Sequence, residues 1–214
     1  MADNDPVLYY FHDPMCSWCW GFRPVWLQVK AAVADQVDIR YVLGGLAPDT
    51  DKHMPASVQA HLQQTWHRIQ NDIPGTQFNF DFWAQCSPRR STYPSCRTII
   101  ATRMQAPDRE PDMLYAIQRA YYLQARNPSD IDVLTQLACE QGLDTDRFST
   151  DIRSAQCQQL FDDELSLCHH FNVESFPTLL LSNGENDAVI TLDYKQPVQM
   201  IESISRNLAR FHQS

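Results

Sequence analysis

The sequence Cys-Ser-Trp-Cys at residues 16–19 stands between a strand-like run and a helical stretch, and this placement constrains the fold more than any other feature. Residues 7–11 (VLYYF) favour a β-strand, which the turn-forming sequence His-Asp-Pro should end. The residues after Cys19 (WGFRPVWLQVKAAVADQ) show the apolar spacing of a helix. The two cysteines are therefore predicted to lie between a strand and the N-terminus of a helix.

A helix N-terminus favours redox chemistry at a pair of cysteines. The backbone N–H groups of a first helical turn lack partners, and the helix dipole places partial positive charge there, so a thiolate at Cys16 is favoured. Cys19 follows one turn later and should be sheltered, yet close enough to attack a mixed disulfide formed at Cys16. We therefore expect Cys16 to be an exposed attacking thiol and Cys19 to be the resolving one.

Other uses of the pair remain open on this reasoning. A zinc site needs a second ligand pair, and neither the Cys-His-His sequence at residues 168–170 nor Cys86 with Cys96 has suitable spacing. A structural disulfide and two inert buried thiols are the remaining alternatives. Redox chemistry is the favoured interpretation, and no bound metal is expected.

Composition and charge exclude several classes of function. The 214 residues carry a net charge of −9 and show no basic stripe, so a nucleic-acid partner is not expected. No apolar run reaches the roughly 18 residues of a membrane-spanning helix. The first residues are acidic where a signal peptide is basic, so we expect a cytoplasmic location. In that compartment seven cysteines are not expected to form a disulfide framework.

The order of predicted elements indicates an α/β fold with a helical insertion. A second strand at residues 37–45 (VDIRYVLGG) makes the opening strand–helix–strand, which implies a parallel pair. Residues 54–170 are helical in pattern, with Ser129 and Asp144 as candidate N-caps and Gly142 as a C-terminal stop. A hairpin with the turn sequence Asn-Gly-Glu-Asn follows within residues 176–192. A closing helix should bury apolar residues at five positions, namely Val198, Ile201, Ile204, Leu208 and Phe211.

The sequence resembles the DsbA-like branch of the thioredoxin superfamily. A proline five positions after the second cysteine, here Pro24, is typical of the active-site helix, which it should kink. The sequence Ser-Phe-Pro-Thr-Leu at residues 175–179 resembles the cis-proline segment of the family. The motifs DPMCSWCWGF, LGGLAPD and YPSCR are similar to the cytoplasmic FrnE-like group of predicted disulfide isomerases and oxidoreductases.

The resemblance implies a thioredoxin-like fold (βαβ…ββα) with a large inserted all-helical domain. It places a thioredoxin-like domain at residues 1–50 and 171–214 and a helical insertion domain at residues 51–170. It also implies a cis bond before Pro177 and a substrate-binding loop at Phe176 and Pro177 that faces the dithiol. A cis bond would leave the backbone of Phe176 free to pair with an extended substrate.

The expected activity is that of a thiol–disulfide oxidoreductase or disulfide isomerase with Cys16 and Cys19 as catalytic residues. Its partners would be protein or small-molecule disulfides and thiols, with no cofactor beyond glutathione as a candidate co-substrate. One alternative is a glutathione-dependent transferase or isomerase of the kappa-class or hydroxychromene carboxylate isomerase type, whose members commonly carry serine where Cys16 stands. The other is a chaperone-like binding module.

Six further residues carry predictions about their role or burial near the dithiol. We expect an exposed Trp18 to form an apolar rim for substrate, with Trp20 or Phe22 buried. His12 and Asp13 are candidates for tuning Cys16, although a histidine at a strand end and an Asp-Pro turn are more often structural. Cys96, near the start of a predicted helix, is expected to be buried rather than to exchange electrons with the pair.

Overall fold

The structure, a computed structural model, describes residues 5–211. It contains four strands, β1 (Val7–His12), β2 (Asp38–Leu43), β3 (Thr178–Ser182) and β4 (Asp187–Ile190). The α-helices of the described residues are α1 (Ser17–Val33), α2 (Ala56–Asp72), α3 (Phe82–Gln85), α4 (Tyr93–Gln105), α5 (Glu110–Leu123), α6 (Ile131–Glu140), α7 (Thr145–Asp151), α8 (Ala155–His170) and α9 (Val198–Phe211). A 3₁₀ turn, Pro107–Arg109, precedes α5.

The four strands form one sheet in the order β2-β1-β3-β4. β1 is parallel to β2, with His12 opposite Leu43, because α1 crosses over between the two strands. β3 is antiparallel to β1, with Phe11 opposite Thr178, and β4 is antiparallel to β3. The central position of β1 places its C-terminal end between the end of β2 and the start of β3.

Helices cover both faces of the sheet. On one face α1 and α9 pack on strand residues that alternate along β1 and β3, among them Leu8, Tyr10 and Leu181. On the other face the C-terminal half of α8 packs on Phe11 and Leu180 through Cys168. The strands are apolar on both sides because both faces are buried.

All of α2 to α8 lie between β2 and β3 in the sequence, and within this stretch the only strand-like feature of the described residues is an isolated bridge between His53 and Arg89. The predicted fold class, a thioredoxin-like α/β fold with an inserted helical region, is confirmed. The division into domains at residues 1–50, 51–170 and 171–214 stays a prediction. Its outermost residues, 1–4 and 212–214, lie outside the described part of the chain.

The helix caps and the helix stop predicted from the sequence were partly correct. Asp144 caps α7 by accepting hydrogen bonds from the N–H groups of Asp146 and Arg147, and Gly142 follows α6 with a φ of +72°. The predicted cap at Ser129 is wrong by one residue, because Asp130 occupies the N-cap position of α6. Ser129 is buried instead, and its hydroxyl donates to the carbonyl of Ser91 over 2.7 Å.

The C-terminal elements follow the predicted hairpin and helix, with one exception. The Asn183 side chain accepts hydrogen bonds from the N–H groups of Glu185 and Asn186 and so holds the turn between β3 and β4. In α9 the residues buried against the sheet are Met200, Ile204 and Leu208. Val198, predicted on the buried face, is 55% exposed because it begins the helix at its free end.

The described residues contain no helix with the length and apolar character needed to cross a bilayer.

A buried carboxylate joins the helical region to the sheet. Glu164 on α8 accepts a hydrogen bond from the N–H of Leu43, at the end of β2, over 2.6 Å and forms an ion pair with Arg103 on α4. Arg103 also holds Glu110 through two contacts of 2.6 and 2.8 Å. Burial raises the pKa of Glu164, while Arg103 and the Leu43 N–H act in the opposite direction.

Replacing Glu164 should therefore destabilise the protein. We expect Glu164→Ala to lower the free energy of unfolding by about 3 kcal/mol, because it leaves the Leu43 N–H buried without a partner and removes one counter-charge of Arg103. Urea denaturation measures the change. The matched control is Glu140→Ala, which breaks an exposed pair with Arg126 and should cost less than about 1 kcal/mol. Equal losses in the two variants would contradict this account.

Candidate functional site

Cys16 occupies the N-cap position of α1, directly after the turn that ends β1. Its Sγ accepts a hydrogen bond from the N–H of Cys19 over 3.3 Å, and its own N–H donates to the carbonyl of Asp13 over 3.0 Å. Its thiol also lies 3.3 Å from the carbonyl oxygen of Phe176, to which it can donate. The sulfur thus lies at the positive end of the helix dipole.

The expectation of a well-exposed Cys16 is wrong. Its residue surface is only 5% exposed, because the turn before it and the loop at Phe176 pack around the thiol. Cys16 nevertheless lines a cleft of about 360 Å³, so its sulfur is reached through this cleft and not from an open surface.

Cys19 is fully buried one turn into α1, as predicted. Burial raises the pKa of its thiol well above the usual value, and the neighbouring Cys16 sulfur acts in the same direction. The Cys19 thiol therefore stays protonated. Both thiols are free in this structure. The two cysteines therefore differ in environment, since Cys16 lines the cleft and Cys19 does not.

The loop before β3 forms the wall opposite the dithiol. The Phe176–Pro177 peptide bond is cis, and the Phe176 carbonyl is the group that Cys16 contacts. The Phe176 ring lies directly over Gly44, where an added Cβ would come within 1.8 Å of the ring Cζ. Gly44 in turn donates its N–H to the carbonyl of His12 over 2.7 Å. The glycine pair after β2 therefore permits the close approach of the loop to the dithiol.

Asp13 is fully buried and ties together three segments around the cleft. Its carboxylate accepts hydrogen bonds from the N–H of Met15 over 2.7 Å, the N–H of Leu46 over 2.8 Å and the hydroxyl of Thr92 over 2.7 Å. Burial raises the pKa of Asp13, and these donors partly oppose that rise. No direct contact joins its carboxylate to Cys16, so its geometry is that of a group that holds the turn before the dithiol.

His12 is fully buried at the end of β1. Neither ring nitrogen has a hydrogen-bond partner among the described residues, and the ring stacks on Tyr10 at 5.1 Å between centroids. Burial, and secondarily the charge of Arg103, lowers the pKa of His12 to about 3. His12 is therefore neutral at physiological pH and packs as an aromatic ring.

Trp18 stands at the rim of the cleft but is only half-buried, not exposed as predicted. Its ring meets the Tyr194 ring edge-on at 5.4 Å, and the Arg68 guanidinium lies 5.6 Å from it. Phe22 is fully buried, which confirms the other half of that prediction.

The sequence did not identify most of the cleft wall. Segments far apart in the chain supply it, and its further members include Leu46, Ala47, Leu62, Thr65, Arg89, Arg90, Tyr121 and Glu174. Glycines favour turns, so the glycine pair at Gly44 and Gly45 is a local signal for the turn that leads into Leu46 and Ala47. The arginines and the α2 residues carry no motif, because helix packing alone brings them to the cleft.

The remaining cysteines lie apart from the pair. Cys96 is buried, as predicted, and its thiol lies 3.7 Å from the Asp13 carboxylate. Cys86 is half-buried and donates to the carbonyl of Ala125, whereas Cys139 is exposed on α6. Within residues 5–211, no three His, Cys, Asp or Glu side chains are grouped in a way that could hold a metal ion.

The packing of Phe176 on Gly44 predicts the effect of one added methyl group. Gly44→Ala should lower the free energy of unfolding by about 1–3 kcal/mol, because an aromatic ring must be displaced. Gly21→Ala is the control, since its Cβ would meet side-chain methyl groups, that of Ile73 at 2.8 Å and that of Ile69 at 3.1 Å, in place of a ring, and alanine favours the helix. Urea denaturation should show the smaller loss for Gly21→Ala, and the reverse order would contradict the packing described.

The burial of His12 predicts a pH dependence of stability. Below its ordinary pKa of 6.5 the unfolded chain binds a proton at His12 that the folded chain does not bind until about pH 3, so stability falls with acidification across this interval. Between pH 7 and pH 5 this loss amounts to about 2 kcal/mol. His12→Phe should lose about 2 kcal/mol less than the wild type over the same interval, measured by urea denaturation.

His169→Phe provides the control for replacing a histidine by phenylalanine, because His169 is exposed on α8. The same acid-induced loss in His12→Phe and the wild type would show that His12 does not cause it.

Comparison with known proteins places these features in a family. A family model described as thioredoxin matches residues 9–203. A ClpXP adapter protein, SpxH of Halalkalibacterium halodurans, is 24% identical over 184 residues, which is 84% of this chain and 60% of that protein. The chain thus spans less than two thirds of the length of this curated relative.

Solved structures show the same fold. A proposed protein disulfide isomerase from Nitrosomonas europaea superposes with a TM-score of 0.84 and 25% identity, covering 96% of this chain and 98% of that one. The cytosolic disulfide reductase DsbM of Pseudomonas aeruginosa gives a TM-score of 0.74 at 24% identity, covering 95% and 98% of the two chains. Since the family model covers most of the sequence and the structure has the corresponding fold, the chain belongs to the thioredoxin family.

Proposed function

We propose that this protein is a thiol–disulfide oxidoreductase whose redox couple is Cys16 and Cys19. The observation that carries the proposal is the position of Cys16 at the N-terminus of α1, in a cleft, with Cys19 buried one turn below it. The fold shared with disulfide oxidoreductases supports the same class of activity.

The reaction begins with the Cys16 thiolate. It attacks one sulfur of a substrate disulfide, the substrate S–S bond breaks, and the other substrate sulfur leaves as a thiolate that takes up a proton. Cys19 then loses its proton and attacks Cys16, which forms the Cys16–Cys19 disulfide and releases the second substrate thiol. The substrate gains two electrons and the dithiol loses two. Isomerisation follows the same first step, with release by a thiol of the substrate in place of Cys19.

Phe176, Pro177 and Trp18 are the proposed substrate-binding residues. The Phe176 carbonyl already lies 3.3 Å from the Cys16 thiol, so an extended substrate that pairs with this backbone would bring its disulfide to Cys16. Trp18 offers an apolar ring at the rim of the same cleft. Asp13 supports this arrangement by holding the turn before Cys16. His12, which is buried and neutral, contributes through the packing of its ring.

We propose that the protein reduces or isomerises disulfides, with glutathione as a co-substrate. DsbM, which has the same fold, is described as a cytosolic disulfide reductase, and one of its structures contains GSH. Arg90 lines the cleft and makes no hydrogen bond or ion pair within the described part of the chain, so it is available to a carboxylate of glutathione. We extend the proposal to a cytoplasmic location on the same grounds.

Serine variants of the two cysteines test the proposal. Cys16→Ser should abolish glutathione-coupled reduction of insulin, a loss of at least about 100-fold, because the nucleophile is missing. Cys19→Ser should also stop turnover, but it should accumulate a mixed disulfide at Cys16 that mass spectrometry detects. Cys139→Ser, which removes an exposed thiol outside the cleft, should keep wild-type activity and serves as the control.

Two outcomes would redirect the assignment. Full activity on glutathione conjugation or isomerisation in Cys19→Ser, with no reduction of insulin by the wild type, would favour the glutathione-dependent transferase or isomerase. The named relatives of the SpxH type favour a second candidate, a protein-binding role of the adapter or chaperone kind. Binding of a client protein by the Cys16→Ser/Cys19→Ser double variant, without redox activity in the wild type, would support that candidate.

A further inference from the structure

A second cavity lies on the side of α1 away from the dithiol cleft. It has a volume of about 430 Å³ and is formed by one face of α1, the segment after α2, and α5. This volume falls within the range of about 300–1,000 Å³ typical of small-molecule sites. None of its lining residues also lines the cleft at Cys16. The cavity is therefore separate from the proposed redox site.

Aromatic rings form one wall of this cavity. Trp20 is stacked on Tyr122, with 5.6 Å between centroids, and lies nearly parallel to Tyr115 at 6.3 Å. The Trp20 indole N–H already donates to the carbonyl of Gln77 over 3.0 Å, so the ring is fixed in place. Leu27 and Tyr115 are 47% and 38% exposed. The wall thus presents a fixed, flat and apolar surface to an incoming ligand.

The cavity also contains an arginine without a counter-ion. The Arg23 guanidinium lies 4.0 Å above the centre of the Tyr115 ring and is half-buried. Among residues 5–211 it forms no hydrogen bond and no ion pair. Asp112 is on the adjacent helix, but its ion pair is with Arg109 at 3.9 Å. In a chain with a net charge of −9, a cation left unpaired beside an apolar cavity favours an anionic ligand.

We propose that this cavity binds a small organic acid with a flat apolar body and a single carboxylate. The ring of the ligand packs against Trp20 and Leu27, and its carboxylate accepts two N–H groups from Arg23. A single negative charge fits better than two, because Arg23 is the one cation that lines the cavity among the described residues and Asp112 is close by. This binding is independent of the proposed redox activity.

Calorimetric titration with 2-naphthoate tests the proposal, with 2-naphthalenemethanol as the neutral analogue of the same ring. The wild type should bind naphthoate at least about tenfold more tightly than the alcohol. Arg23→Gln should lower the affinity for naphthoate about tenfold or more and change the affinity for the alcohol by less than about twofold. Leu27→Asp, at an exposed position one turn after Arg23, should also weaken naphthoate binding, because the new carboxylate repels the ligand and competes with it for Arg23.

The matched control is Arg119→Gln. Arg119 lies 5.7 Å from the same Tyr115 ring and also lacks an ion pair among the described residues, but it does not line the cavity. Its loss should change naphthoate affinity by less than about twofold. Equal binding of naphthoate and the alcohol, or equal effects of Arg23→Gln and Arg119→Gln, would overturn the proposal. A third result would also overturn it: the wild type forms a dimer and does not bind naphthoate, and Leu27→Asp dissociates that dimer. A second copy of the chain would then cover the cavity.

Discussion

The buried carboxylate of Asp13 is the interaction on which the geometry of the cleft depends. It accepts hydrogen bonds from Met15 in the turn before α1, from Leu46 in the loop after β2 and from Thr92 before α4. A buried carboxyl group requires such hydrogen-bond partners, because burial without them is costly, and burial also raises the pKa of Asp13. Since each donor comes from a different segment, the turn that positions Cys16 is fixed relative to both the sheet and the helical region.

The second determinant of the cleft is close packing without hydrogen bonds. The Phe176 ring fits over Gly44 only because that residue has no Cβ. The backbone carbonyl of Phe176 then lies beside the Cys16 thiol. Glu164 on α8 accepts a hydrogen bond from the N–H of Leu43, the residue just before Gly44. The helical region thereby helps to position the strand end against which the loop rests, so sheet, loop and helices together define the approach to Cys16.

Much of the fold was predictable because its signals are local. Strand and helix periodicity gave β1, α1, β2 and the closing hairpin, and Asp144 was recognised as a cap from residue type alone. The cap at Ser129 was misassigned because Asp130 beside it is equally suited by type, and only the burial of Ser129 distinguishes them. The short helix α3 and the 3₁₀ turn escaped prediction because elements of one turn leave no periodic pattern.

The sequence by itself determined where the pair Cys16 and Cys19 lies, since a strand before it and a helix after it place the first sulfur at a helix N-terminus. Only the tertiary structure decided how much of Cys16 is exposed, that His12 is buried and neutral, and that Arg23 has no ion-pair partner within residues 5–211 beside its apolar cavity. The reason is physical. Helix dipoles and caps act over one turn of chain, whereas burial and the pairing of charges depend on which distant segments pack against a side chain.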